Sequence, residues 1–294
     1  MKVDILLPIY NSPEETRACI ESIIKVTPKE NYILYLLDDC SPDPEIKNIT
    51  NYFSNNYFNV KVYRNEKNKG FPANVNNGFR ITTNDVVILN SDTIVTPGWL
   101  EGLHRAATSE SKVAAVGPLS NYGMITSVPS IYQEVNDGAN IERVVEFIRR
   151  EKIADYPQTP MLVGFCMYIP REALDKIGVL DEETFRKGYG EETDWCLRAR
   201  EKGYKLLIAT DTYVYHVGGT SFGEEKIPLQ KRAAKIIKQR YPDYEGEIKR
   251  FENNHPLLEL RIKMCRNLNV PLKYRLRYSL RRKKRILKDM FQKK

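Results

Sequence analysis

Short apolar runs bounded by polar residues punctuate the first 120 positions of this chain. "VDILLPIYN" from Val3, "YILYLLDDCS" from Tyr32, "NVKVYRN" from Asn59, "DVVILNSD" from Asp85 and "KVAAVGPLS" from Lys112 each predict a strand. The continuous apolar run Val86-Val87-Ile88-Leu89 reads as a strand buried on both faces. Between them "SPEETRACIESIIKV", "PDPEIKNITNYFSNN", "FPANVNNGFR" and "TPGWLEGLHRAATS" read as helices. The first has Ser12 as N-cap, Pro13 at its first position and Glu15 three after the cap. Strands alternating with helices predict an α/β doubly wound architecture with a parallel sheet and right-handed crossovers.

In such sheets ligands gather at the carboxyl ends of the strands. Here those ends carry Pro8-Ile9-Tyr10-Asn11, Asp38-Asp39-Cys40-Ser41 and Asn90-Ser91-Asp92. Acids after strands are also ordinary turn and cap residues; three polar clusters at one sheet edge make an active-site rim. Beyond residue 120 the alternation loosens. "SNYGMITSVPSIYQEVNDGAN" reads as a long polar loop of the mobile, substrate-binding kind. "MLVGFCMYIP" is a strand, "REALDKIG" and "EETDWCLRAREKG" are helices, "YKLLIATDTYVYHVGG" supplies two further strands, and "PLQKRAAKIIKQRYP" is a helix between prolines.

Composition changes this picture in three places. Five cysteines without framework spacing point to reduced thiols in a cytosolic protein. No window approaches the apolar length of a transmembrane helix, and the opening run meets Pro8 too early for a signal peptide. The net charge of +8 is uneven: Pro256 to Lys294 is +12, and Met1 to His255 is −4. A slightly acidic body thus carries a strongly basic tail.

No G-x-G-x-x-G follows the first strand and no G-x-x-x-x-G-K-[ST] occurs, which argues against a dinucleotide oxidoreductase and a P-loop enzyme. The rim itself must handle any nucleotide. Asp39 is placed to accept from a pyrimidine N3–H, and Asn90 to bond a ribose hydroxyl. Asp92, on the same side of an extended chain, is placed to hold a divalent metal against a diphosphate.

The set "PIYN", "DDCS", "NKGFPANVNNG", "LNSDT", "GYGEETDWCLRAR" and "YHVGGTSF" resembles, in motif order from Lys2 to Phe222, the inverting glycosyltransferases of family 2. The resemblance implies a GT-A fold: a Rossmann-like mixed sheet flanked by helices, over residues 1–225, followed by a C-terminal basic helical extension over 226–294. Relatives often have Asp-x-Asp where this chain has Asn90-Ser91-Asp92, a variant nearest to rhamnosyltransferase-like members. The resemblance makes Asp92 the metal ligand and Pro8, Tyr10, Asn11, Asp39, Asn68, Gly70, Asn74, Asn90 and Ser91 the nucleotide-sugar contacts. The family's base lies in a Glu-Asp pair opening a helix. Here the run is Glu191-Glu192-Thr193-Asp194, so Glu192 takes that role, with Glu191 and Asp194 as alternatives. Acids in a helix's first turn also serve the macrodipole alone.

His216 ends the strand "TYVYHV"; in several GT-A relatives a histidine in a comparable position ligates the metal, and an imidazole ligand favours Mn2+ over Mg2+. Trp99 and Trp195 are candidates for stacking on sugars, or for the core. The Gln-x-x-Arg-Trp run of processive polymerases does not occur. The expected activity is transfer of one sugar, hexose or deoxyhexose, from a nucleoside-diphosphate sugar to a hydroxyl of a glycan or lipid-linked acceptor. A sugar nucleotidyltransferase lacks its Gly-rich phosphate loop here. A non-catalytic nucleotide-sugar or nucleic-acid binding module is the alternative.

The tail "PLKYRLRYSLRRKKRILKDMFQKK" sets Leu272, Leu276, Leu280, Leu287, Met290 and Phe291 near one helical stripe among arginines and lysines. That pattern suits an anionic membrane surface. It places the protein in the cytoplasm, peripheral at the inner face of the cell membrane. Nucleic acid shares the charge signature without an accompanying readout motif, and is not an expected partner.

Overall fold

A computed structural model describes residues 2–131, 133–136, 140–151, 154–218 and 226–292, with side chains not described at 133, 134, 226 and 286–292. The first half alternates as the sequence predicts: β1 (Val3–Ile9), α1 (Pro13–Val26), β2 (Tyr32–Asp38), α2 (Pro44–Asn56), β3 (Val60–Arg64), α3 (Phe71–Ile81) and β4 (Asp85–Leu89). There follow β5 (Thr93–Val95), α4 (Trp99–Ala107), β6 (Val113–Leu119), α5 (Gln133–Asn136), α6 (Ile141–Glu151), β7 (Cys166–Ile169), α7 (Arg171–Ile177), α8 (Glu191–Glu201) and β8 (Lys205–His216). The chain then runs through α9 (Lys226–Arg240), α10 (Tyr244–Asn253), α11 (Leu258–Asn267) and α12 (Leu272–Gln292).

The eight strands form one sheet in the order β3-β2-β1-β4-β7-β6-β8-β5. β1 to β4 pair in parallel, but β7 runs antiparallel to both β4 and β6, and β5 antiparallel to β8. The sheet is therefore mixed, as the resemblance implies, and not the all-parallel sheet that alternation alone suggests. Alternation within a strand explains its double burial. Val87 and Leu89 of β4 pack with α1, α2 and α4 on one face, while Val86 and Ile88 pack with α3, α7 and α8 on the other.

Three expectations are corrected. The segment Tyr204–Gly219 does not hold two strands: β8 is one strand of 12 residues. Its register against β6 jumps from Pro118↔Ala209 to Leu119↔Tyr213, a bulge that lets its second half pair with β5 instead. The polar stretch after Ser120 is no open loop: Ile125, Thr126, Ser127, Val128 and Ser130 are all buried. Arg261 of α11, itself 1% exposed, donates to the carbonyls of Ile125 and Ser127, so the polar composition reflects internal bonding. Finally, Ser12 makes no side-chain cap; it sits at φ 57, and the chain leaves β1 through left-handed Asn11 and Ser12.

The C-terminal helices share cores with the sheet domain. Leu257, Leu260 and Met264 pack with Leu119, Val144, Phe147 and Tyr213, and Ala233 and Ile237 pack with Phe185 and Leu197. Trp99 and Trp195 are core residues, 1% and 0% exposed, each donating its indole N–H, to Thr27 and to the Gly178 carbonyl. Among the described residues no helix is long and apolar enough to cross a membrane.

Candidate active site

The carboxyl ends of β1 and β4 part company after Leu6↔Ile88, while β1 stays paired with β2 to Asp38. This is where the strand order reverses, the usual ligand crevice of an open α/β sheet. Pro8 lies in β1 past the last β4 pair, where its missing N–H costs no ladder bond on that side. Tyr10 is exposed and Asn11 half-buried. Asn11, Ser12 and Cys40 all have φ near +60°, an uncommon conformation that tends to gather at functional sites. The Asn11 N–H donates to Ser41 Oγ, tying the two strand ends together.

Asp39 is buried, and its carboxylate accepts from Asn65 Nδ2, Lys69 N and Gly70 N, each at 2.8 Å. Those bonds fix the loop from Asn65 to Gly70 and leave about one acceptor direction of the carboxylate for a ligand N–H. Asn74 ties α3 to β2 through the Leu37 carbonyl and accepts from Asn65. Asn68 accepts from Gly70 N at 3.0 Å. Gly70 has φ 85 and ψ 159, a region open only to glycine, and a Cβ there would lie 2.0 Å from the Arg186 carbonyl oxygen. The loop thus presses directly on the segment that leads into α8.

β5 pairing with β8 sets Thr93 opposite His216, which brings Asp92 and the imidazole together. His216 Nε2 lies 3.3 Å from Asp92 Oδ1. His216 Nδ1 lies 3.0 Å from the Tyr122 carbonyl and donates to it, so the ring presents Nε2 to the carboxylate. Asn121 holds the strand end from both sides, accepting from His216 N at 2.7 Å and donating to its carbonyl at 2.8 Å. Phe165 stacks on the ring at 4.8 Å. Burial alone would raise the Asp92 pKa; the His216 hydrogen bond and charge, with backbone N–H donors, overcome it and hold Asp92 below the usual carboxylate range.

This pair fits a divalent cation. Two donor atoms each about 2.1 Å from one ion at near a right angle would stand about 3 Å apart, and a ligating histidine ordinarily anchors its other nitrogen to a carbonyl. Among the described residues no cluster of three or more His, Cys, Asp and Glu side chains forms a metal site, so the remaining positions would fall to ligand oxygens and water. Asn90 sits beside the pair, its N–H bonded to the Phe165 carbonyl at 2.8 Å and its Oδ1 buried without a partner among the described residues. Ser91 is half-buried.

The residue before Phe165 packs against α8, since a Cβ at Gly164 would lie 3.4 Å from Glu192 Cβ. Glu192 is half-buried and accepts the Gly190 backbone N–H at 3.2 Å. Glu191 is 5% exposed, with Oε2 bonded to nothing among the described residues. Burial raises both carboxyl pKa values, and the neighbouring Glu192 charge raises Glu191 further. Asp194 is differently placed. It accepts from Arg198 Nε at 2.8 Å, from an Arg240 guanidinium nitrogen at 2.7 Å and from Tyr241 Oη at 3.2 Å. That carboxylate fastens α9 to α8. Two clefts of about 250 and 350 Å³ lie elsewhere, one by Trp99 and Asp211, the other by Arg200 and Tyr244.

Asn65, Asn121, Tyr122, Gly164, Phe165 and Arg240 escape sequence reasoning. Each is an ordinary residue whose role depends on a contact distant in sequence. The segment 219–225, with most of "GGTSF", lies outside the described residues.

The chain is 22% identical over 225 residues to glycosyltransferase AglE of Haloferax volcanii, covering 76% of this chain and 68% of that one. Its fold is similar to that of GalNAc-T7 with UDP, GalNAc and Mn2+, at a TM-score of 0.62 and 17% identity over 92% of this chain. It is also similar to the mannosyltransferase PcManGT from Pyrobaculum calidifontis in complex with GDP-Man and Mn2+, at 0.58 and 16% over 80% of this chain. The chain spans 55% and 64% of those two solved chains. These likenesses establish a GT-A-like fold. The glycosyl transferase family 2 model matches residues 4–178, and the chain belongs to that family.

Proposed function

We propose that this protein is an inverting, metal-dependent hexosyl- or deoxyhexosyltransferase that adds one sugar to a hydroxyl of a glycan or lipid-linked acceptor in cell-surface polysaccharide or glycoconjugate synthesis. The observation that carries the reading is the Asp92–His216 pair joined through Phe165 and Gly164 to the raised-pKa carboxylate of Glu192. Asp92 and His216 would hold Mn2+ or Mg2+, which neutralises charge on a departing nucleoside diphosphate. Asn90 Oδ1, buried and unbonded among the described residues, would accept a donor hydroxyl. The Asp39 loop would bound the base, with Asn68, Gly70 and Asn74 shaping its wall.

Glu192 takes the acceptor hydroxyl proton as that oxygen bonds to the anomeric carbon and the bond to the diphosphate oxygen breaks. A single displacement of this kind inverts the anomeric configuration. Of the acids in the run, Glu192 suits the base best, because Asp194 is held by two arginines and Glu191 lies deeper. AglE, GalNAc-T7 and PcManGT support sugar transfer as the reaction class. A lipid-linked acceptor would place the enzyme at a membrane face, the inner face of the cell membrane on the sequence reading.

The test is a panel of nucleotide sugars and nucleoside diphosphates, with and without Mn2+, read by thermal shift and donor hydrolysis. One donor should raise the melting temperature only with metal present and be turned over. No metal-dependent shift with any member would refute the reading.

A further inference from the structure

Helix α12 carries two opposed apolar faces, and the fold uses only one. Tyr274 and Tyr278 are 3% and 1% exposed and pack against Leu258, Ile262 and Cys265. The Tyr278 hydroxyl meets Ser130 Oγ at 3.0 Å and accepts from Ile131 N at 2.8 Å. Leu272, Leu276 and Leu280, by contrast, are 60%, 54% and 58% exposed. At about 100° per residue the three leucines cover roughly an 80° arc, centred opposite the two tyrosines. By the same rotation Lys273, Arg277 and Lys284 flank that arc on one side, and Arg275 and Arg282 on the other. Over its whole length α12 has nine Lys and Arg against one acid, Asp289. Leu287, Met290 and Phe291 lie outside the described side chains.

The occupant of this face must meet both properties. A second copy of α12 would cover the leucines but bring like charges against like. Nucleic acid would meet the cations and leave the leucines in water. An anionic bilayer accepts leucines below its headgroups and basic side chains among them. We infer that α12 is a docking surface for an anionic lipid bilayer, with Leu272, Leu276 and Leu280 entering the acyl boundary and the flanking Lys and Arg at headgroup level. The inference rests on the transferase reading only for the nature of the acceptor. The inner face explains why α12 is not a detachable tail. Tyr278 holds Ser130 and Ile131, Asn136 bonds the carbonyls of Ser130 and Asn121, and Asn121 grips His216. Truncating the helix would therefore disturb the site, whereas changing the outer leucines leaves the clamp in place.

The test uses the full chain and the combined variant Leu272→Gln, Leu276→Gln and Leu280→Gln, with vesicles of phosphatidylglycerol and phosphatidylcholine or of phosphatidylcholine alone. Wild type should sediment with the anionic vesicles only. The variant should bind them about tenfold or more weakly, with unchanged melting temperature and unchanged turnover of a soluble acceptor. Equal binding by both chains would overturn the inference. So would a change of self-association in the variant, which would mark a second copy as the occupant. Nucleic-acid binding tighter than vesicle binding and indifferent to the leucines would do the same. Vesicle binding without donor hydrolysis would fell the transferase reading and spare this one.

Discussion

Changing Glu192 to glutamine removes a basic lone pair and little else. The Gly190 N–H that its carboxylate accepts at 3.2 Å is a bond the amide carbonyl can keep, and its stem lies over Gly164 as before. The stability change should stay under about 1 kcal/mol. Turnover should fall roughly a hundredfold, about 2.7 kcal/mol of barrier, for loss of a positioned base. The pH dependence sharpens the test. Burial holds the Glu192 pKa above the ordinary glutamate range, and the base acts when deprotonated, so wild-type kcat/KM should rise with pH through that raised value. In Glu192→Gln this limb should vanish.

The linkage has the opposite sign. A carboxyl whose folded pKa is raised stabilises the fold below its unfolded pKa and loses that contribution as pH climbs through the folded value. Glu192→Gln should therefore melt no lower than wild type at neutral pH. Asp194→Asn is the control: weakening charge-assisted bonds to Arg198 and Arg240 should cost about 1.5–3 kcal/mol and lower the melting temperature by several degrees. Turnover at saturating donor and acceptor, followed across the acid and neutral range, is the assay. A Glu192→Gln enzyme with wild-type rate and an intact acid limb, or a dead Glu191→Gln beside it, would refute the assignment.

Asp92→Ala should nearly abolish transfer, and His216→Gln should weaken Mn2+-dependent nucleotide binding at least tenfold while the fold persists, as calorimetric titration will show. Gly70→Ala should cost about 1–3 kcal/mol for its backbone angles alone, before the clash with Arg186, and should weaken nucleotide binding together with the melting temperature. Asn121→Ala strips the buried His216 backbone of two bonds at about 1–3 kcal/mol each; it should lower thermal stability and metal affinity while metal-free nucleotide binding holds.

The sequence by itself determined the elements and the acids at the sheet edge. An uninterrupted run such as Val86 to Leu89 is stable only between two layers, and the residues that follow must lie at the strand end, where ligands collect. Local pattern was enough for that, because side-chain alternation and strand length are properties of neighbouring residues. The motif order from Lys2 to Phe222 also made family membership legible. Sheet direction was not: antiparallel β7 is four residues whose pairing depends on where two distant neighbours stand. The resemblance named His216 and Asp92 separately, and the tertiary structure supplied their contact, because a bulge opposite Leu119 turns one strand from β6 to β5. The tertiary structure alone separated the acids of one run, through Arg240 arriving from a helix 46 residues on to hold Asp194. Glu192 meets no such arginine among the described residues, a difference in partners that is invisible in "EETD".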